Sequence, residues 1–212
     1  MFTGLISDVG VVTSVETTDQ LLHLQIESSY DPATIAMGAS IACSGPCLTV
    51  VAFGERQGGG CWFEVDAAAE TLAKTTVGQW APGRRINLER SLKIGDELGG
   101  HIVTGHVDGV GTIISRRMVT DEENPWGETA EFTIRVPREL SRYIAAKGSV
   151  CLDGTSLTVN SVDGDTFTIL LIPHTLAVTT WGDRQVDDAI NVEVDLMARY
   201  AARLIEADAG KR

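Results

Sequence analysis

The chain is written twice. Sliding it along itself aligns Phe2-Thr3-Gly4 with Val103-Thr104-Gly105, an offset of 101 residues, and the following Val9-Gly10-Val11-Val12 with Val110-Gly111-Thr112-Ile113. Ser40-Ile41, Gly45 and Leu48-Thr49-Val50 recur as Ser149-Val150, Gly154 and Leu157-Thr158-Val159, an offset of 109. Thr71-Leu72-Ala73 with Thr75-Thr76 recurs as Thr175-Leu176-Ala177 with Thr179-Thr180, and Ile86-Asn87-Leu88-Glu89 as Ile190-Asn191-Val192-Glu193, both at 104. Matched blocks in constant order with a drifting offset are what loop insertions leave in duplicated domains. Asp121 to Gly127 is an expected insertion of this kind.

Within each copy the local signals are β. Leu22, Leu24 and Ile26 alternate with His23 and Gln25, and Phe132, Ile134 and Val136 alternate with Thr133 and Arg135, giving half-buried strands at matching places. Gly58-Gly59-Gly60 and Asp163-Gly164 read as the corresponding hairpin tips. Short helices are expected at Arg138 to Ala146 and after Glu70. The fold expected is all-β: two tandem closed Greek-key β-barrels with short helices, plus a C-terminal α-helix. The expected division is 1–97, 98–194 and 195–212. From Asp195 the apolar period becomes helical, with Met197, Tyr200, Ala201, Leu204 and Ile205 on one stripe. That stripe must be covered by a barrel or by another subunit, and periodicity does not choose.

A net charge of -12, without a basic stripe, argues against nucleic acid. No long apolar segment marks a membrane span or a signal peptide, so a cytoplasmic protein is expected. Cys43, Cys47, Cys61 and Cys151 lack zinc-site spacing and are expected to be free thiols, with no metal bound. No phosphate-binding glycine motif occurs either.

The two copies serve as internal controls. His106 aligns with Leu5, Asp153 with Ser44, Lys147 with Gly38 and Ser156 with Cys47, so ionisable groups gather in the second copy. Taken singly, each has a plain structural reading: His106 as a hydrogen-bonded strand histidine, Cys47 as a small apolar filler, Asp153-Gly154 as a turn, Thr49 and Thr158 as strand formers, and Lys147 as a charge facing a helix dipole. His23 and His174 read as structural or exposed. Taken together, they describe two like pockets of unequal chemistry.

The set Met1-Phe2-Thr3-Gly4-Leu5-Ile6, Cys47-Leu48-Thr49-Val50, Glu70-Thr71-Leu72 with Thr75-Thr76, Gly99-Gly100-His101 with Gly105-His106-Val107-Asp108, and Asp153-Gly154-Thr155-Ser156-Leu157-Thr158-Val159 resembles the riboflavin synthase alpha-chain family over nearly the whole chain. The resemblance implies two six-stranded Greek-key β-barrels per chain and a homotrimer held by C-terminal helices, with a working site between barrel one of one subunit and barrel two of a neighbour. It implies dismutation of two molecules of 6,7-dimethyl-8-ribityllumazine by four-carbon transfer, giving riboflavin and 5-amino-6-(D-ribitylamino)uracil without an outside cofactor. Docking with the lumazine-producing enzyme, lumazine synthase, is a further partnership it leaves room for.

Carried over residue by residue, the resemblance makes His106 the proton shuttle and Cys47, Asp153, Ser156 and Thr158 the other catalytic candidates. Substrate contacts fall on Gly4, Leu5, Ile6, Cys47, Leu48 and Thr49, and on Asp66, Ala67, Ala68, Ala69, Glu70 and Thr71 in the first barrel. In the second they fall on Gly105, His106, Val107, Lys147, Ser156, Leu157 and Thr158, and on Leu171, Ile172, Pro173, His174, Thr175 and Leu176. The sequence departs from the family pattern at Ser44 and Pro46 in the first pocket, and at His174, where Glu70 leads one to expect a glutamate. The rival reading from another class is a non-catalytic lumazine or flavin carrier. A flavin-dependent oxidoreductase would need a nicotinamide domain that 212 residues do not accommodate beside two barrels.

Overall fold

Alternation of apolar and polar residues, with branched and aromatic side chains on one face, commits each copy to short strands whose inner faces must meet. In the computed structural model, which describes residues 1–18, 21–119 and 129–209, they meet by closing the sheet. The expected insertion at 121–127 lies outside the described residues. The first barrel comprises β1 (Asp8–Thr18), β2 (Leu21–Ser28), β3 (Ser40–Cys43), β4 (Cys47–Glu55), β5 (Cys61–Ala67) and β6 (Arg85–Arg90), in the spatial order 1-2-5-4-3-6. The second comprises β7 (Gly109–Val119), β8 (Thr129–Arg135), β9 (Ser149–Leu152), β10 (Thr155–Asp163), β11 (Thr166–Leu171) and β12 (Ala189–Val194), in the same circuit, 7-8-11-10-9-12. All ladders are antiparallel.

Even the irregularities are duplicated. The register slips after Val12 in β1 and after Ile113 in β7, and again after Val50 in β4 and after Val159 in β10. Such slips sharpen twist where a small sheet must curl into a barrel. Leu24, Ile26, Phe63 and Val65 fill one interior; Phe132, Ile134, Ile169 and Trp181 fill the other. Trp181 meets Phe132 edge-on at 5.1 Å between ring centroids.

Helices are short and peripheral, except the last. α1 (Ala69–Lys74) and α3 (Pro173–Val178) occupy the same place in the two copies. α2 spans only Arg138–Ser141, shorter than the expected helix over 138–146. Its continuation tightens because Tyr143 and Ile144 donate to the carbonyls of Leu140 and Ser141, and this turn tucks Leu140 and Ile144 into the core. α4 (Leu196–Ala209) begins as expected at Asp195, whose Oδ1 accepts a hydrogen bond from Met197 N at 2.8 Å.

The barrels are joined by reciprocal hydrogen bonds. Phe2 and Val103 pair across the junction, N–H to C=O in both directions, at 2.7 and 3.1 Å. Asn87 of β6 donates to Asp153 O at 2.9 Å and accepts from Thr180 N at 2.8 Å. Asn191 of β12 donates to Ser44 O at 2.7 Å and accepts from Thr76 N at 2.8 Å. Both amides are buried, so truncating either strands a donor and an acceptor of the opposite barrel without water. Each stranded group costs about 1–3 kcal/mol. N87A and N191A are each expected to lose roughly 2–4 kcal/mol in chemical denaturation, whereas Asn87→Ala with unchanged stability would contradict a structural role for the pair.

Candidate active site

Each barrel mouth is closed by a loop that belongs to the other copy. Gly105, which leads into barrel two, lies against barrel one, where its carbonyl accepts from Cys47 N at 2.9 Å. Gly4, which leads into barrel one, lies against barrel two and accepts from Ser156 N at 2.8 Å. Both glycines have positive φ, +76° and +75° for Gly4 and Gly105. A side chain at either would overlap its neighbour far inside van der Waals contact, since a Cβ at Gly105 stands 2.5 Å from Cys47 Cβ and one at Gly4 stands 2.6 Å from Ser156 Cβ. The loops can seat themselves only because these positions carry no side chain.

This crossing rearranges the residues singled out from sequence. His106 does not join Ser156, Thr158 and Lys147 at barrel two. It lines a cleft of ≈ 480 Å³ at barrel one with Pro46, Cys47, Glu70, Thr71 and Val107, bordered by Lys74, Asp108 and Arg199. Within one chain, then, the accessible thiol and the candidate proton carrier face the same space. Leu5 and Ile6 follow Gly4 to the mouth of barrel two, with Leu5 half exposed.

At barrel two the partner of Ser156 is His101. Its Nδ1 stands 2.7 Å from Ser156 Oγ. Burial lowers its pKa below the usual 6.5, while Asp195 and Glu193 pull weakly the other way. The ring is therefore neutral near pH 7, with one nitrogen free to accept a proton. The sequence alone assigns no role to His101 of Gly99-Gly100-His101. The signal available was its place between a glycine pair and the repeated Val103-Thr104-Gly105 block, a stretch the repeat does not explain.

Asp153 requires correction as a residue that meets ligand. It is 1% exposed, its Oδ1 accepts from Asn191 N at 2.8 Å, and its Oδ2 pairs with Arg184. With both oxygens committed at the junction, it braces the turn leading to Ser156 rather than facing a cleft. Leu48, Leu157, Ala67 and Leu171 point into the barrel interiors and offer a ligand only backbone. Thr49 and Thr158 lie on the outward face of β4 and β10. Asp66 is held on the outside of β5 by His23 Nδ1 at 2.7 Å, and that bond raises the His23 pKa. Ala68, Ala69 and Glu70 are exposed at the start of α1, as are Ile172, Pro173 and His174 at the start of α3. Thr71 in α1 and Thr175 with Leu176 in α3 are half-buried. Lys147 is exposed with φ +68°, its N–H donating to Val159 O, away from the barrel-one cleft. Among the described residues, no cluster of three or more His, Cys, Asp or Glu side chains has the arrangement of a metal site.

The apolar stripe of α4 faces outward: Met197, Tyr200, Leu204 and Ile205 are 61–72% exposed. The other side of the helix is tied to the body by Arg199 to Asp108 at 2.8 Å and Arg142 to Glu206 at 2.7 Å.

Sequence relatives extend over the same two units. The family model for the lumazine binding domain matches residues 3–91 and 104–195. The chain is 55% identical over 206 residues to riboflavin synthase of Brucella abortus (strain 2308), covering 97% of this chain and 98% of that one. It is 39% identical to riboflavin synthase of Schizosaccharomyces pombe (98% and 95% covered) and 37% identical to that of Photobacterium phosphoreum (98% and 90%). Among solved structures, LumP complexed with riboflavin superposes with a TM-score of 0.75 at 23% identity, over 92% of this chain and 99% of that one, a likeness of fold. With two matched domains and near-complete coverage at these identities, the chain belongs to the riboflavin synthase family.

Proposed function

We propose that the protein is a riboflavin synthase, a transferase in which two 6,7-dimethyl-8-ribityllumazine molecules take unequal parts because the two barrel mouths have unequal chemistry. The observation that carries this reading is the crossed pair of mouths: the same backbone contact, Gly105 to Cys47 and Gly4 to Ser156, presents Cys47 with His106 in one and Ser156 with His101 in the other. One lumazine gives up four carbons and leaves as 5-amino-6-(D-ribitylamino)uracil. The other accepts them into a new ring and leaves as riboflavin. All atoms and electrons are accounted for by the two substrates, so no oxidant, reductant or metal enters the balance.

Most of the acceleration is assigned to holding the two rings with their reacting carbons aligned. Proton transfer adds to it. The C7 methyl of the lumazine is acidic because its anion delocalises into the ring, and a neutral imidazole suits its removal near neutral pH. His106 is the proton carrier at the barrel-one cleft, where Cys47 is placed for transient addition to a ring carbon. His101, working with Ser156, serves the mouth of barrel two. Thr71 and Thr175, with backbone groups of the crossed loops, bind the uncharged ring and polyol tail. A homotrimer assembled through the α4 stripe completes the arrangement, since four large exposed apolar side chains on one helix face call for cover. Free cysteines, three of them buried, fit a cytoplasmic setting.

Incubating the purified protein with the lumazine alone is expected to produce the flavin absorbance band; a bound-ligand spectrum without flavin would instead identify a carrier. His106→Ala is expected to slow turnover by about a hundredfold or more with lumazine affinity changed only a few-fold, and undiminished turnover would remove it from the mechanism. Since burial lowers the His101 pKa, the neutral ring persists as pH falls through 6.5 and is lost only below its own value. The acid limb of kcat is therefore expected below pH 6.5 and to vanish in H101A. Folding stability linked to this ring runs in the same direction, present above 6.5 and declining as the unfolded chain takes up protons first. Truncation after Asp195 is expected to give monomers, by sedimentation, that bind lumazine but turn it over poorly.

A further inference from the structure

Two buried glutamates have no part in the chemistry above. Glu89 in β6 is 5% exposed; its Oε1 accepts from Thr3 N and Thr3 Oγ1, both at 2.7 Å, and its Oε2 from Gly4 N at 2.8 Å. Glu193 in β12 is 3% exposed; its Oε1 accepts from Thr104 N and Thr104 Oγ1, both at 2.7 Å, and its Oε2 from Gly105 N at 2.9 Å. The same three bonds are made twice, within 0.1 Å of each other. Burying a carboxylate is unfavourable unless donors answer it, and an apolar side chain would join the barrels at lower cost. The Phe2–Val103 pairing and the two asparagines already join them.

What the carboxylates add is direction. Each draws the glycine N–H toward its own barrel, which leaves the glycine carbonyl turned toward the opposite one, where Cys47 N or Ser156 N meets it. The residue after each glycine, His106 or Leu5, is carried with it. Charge-assisted bonds to backbone suit this task because they fix orientation as well as distance.

We propose that Glu193 and Glu89 are positioning residues that work crosswise: Glu193 of barrel two sets the Cys47–His106 cleft of barrel one, and Glu89 of barrel one sets the Ser156–His101 pair at the mouth of barrel two. The assignment rests on the reading of the two barrel mouths as ligand sites, and one of its readouts does not need that reading.

Cys47 supplies the probe, because the other three cysteines are buried and it is not. Glu193→Gln places an amide N–H₂ against backbone donors and is expected to raise the iodoacetamide alkylation rate of unliganded Cys47 at least threefold. It is also expected to raise the riboflavin concentration that half-protects Cys47 about tenfold, the scale of one lost charged hydrogen bond. Glu89→Gln leaves both Cys47 readouts within twofold of the parent protein and lowers the riboflavin bound per chain, as the mouth of barrel two loses affinity. Thr104→Val and Thr3→Val, which remove one donor each and leave the carboxylates in place, reproduce the two patterns at smaller amplitude if the glutamine variants fold poorly. Equal effects of Glu89→Gln and Glu193→Gln on Cys47, or none from either pair of variants, would overturn the crosswise assignment. A parent protein whose Cys47 is not protected by riboflavin would defeat the cleft reading instead, while the unliganded alkylation rates would still decide the proposal.

Discussion

Everything downstream depends on the junction amides. Asn87 and Asn191 each carry one donor and one acceptor into a place without water, and each finds both partners on the opposite barrel. A shift of one barrel along or around the other would strand four such groups at once. The cost of that error fixes one relative pose, which apolar contact alone would leave degenerate. From the pose follows the crossing of the Gly4 and Gly105 loops, and from the crossing follow both pairings, Cys47 with His106 and Ser156 with His101. The pairing of catalytic candidates is thus a property of the junction more than of either barrel.

Duplication has been relaxed at this junction by linked changes. Ser44 in copy one and Asp153 in copy two both accept from an asparagine N–H, at 3.0 and 2.8 Å, with φ near +45° in each. The carboxylate brings a charge that the hydroxyl does not, and Arg184 answers it from the position where copy one has Trp80. Trp80 Nε1 donates to Thr76 Oγ1 at 3.2 Å; the equivalent Thr180 Oγ1 has no partner among the described residues, because the arginine is engaged elsewhere. Trp181 instead satisfies its ring nitrogen on Thr155 at 3.2 Å. A charged turn in front of Ser156, and a neutral one in front of Cys47, are the outcome.

The repeat, the strand alternation at Leu22–Ile26 and Phe132–Val136, and the Asp195 cap could be read from sequence because each follows from a local period or a single cap. Which histidine faces which barrel could not. Alignment of the copies places His106 opposite Leu5 and so in copy two, and that is correct for the chain path; the exchange of loops across the junction then reverses its spatial company. No local period encodes an exchange between segments about a hundred residues apart. Asp153 is hard to read for a related reason: an aspartate next to glycine before a serine looks like chemistry, and only the positions of Asn191 and Arg184, remote in sequence, reveal that its oxygens are occupied. His101 lies in a stretch with no counterpart in the matched blocks, so the repeat carries no information about it.

The same geometry connects the helix to the chemistry. α4 is pinned on its polar side, and Arg199 reaches Asp108, two residues beyond His106, at the rim of the barrel-one cleft. Asp108 also accepts from Val194 N at 2.9 Å, at the end of the strand that runs into the helix. His106 is therefore held from both sides, by Glu193 through Gly105 and by α4 through Asp108. A subunit seated on the outward stripe of α4 would press on a helix already bonded to the cleft wall. Assembly and site geometry would then share one ion pair, and a chain that binds its ligand as a monomer would have the parts of the site without the load that sets them.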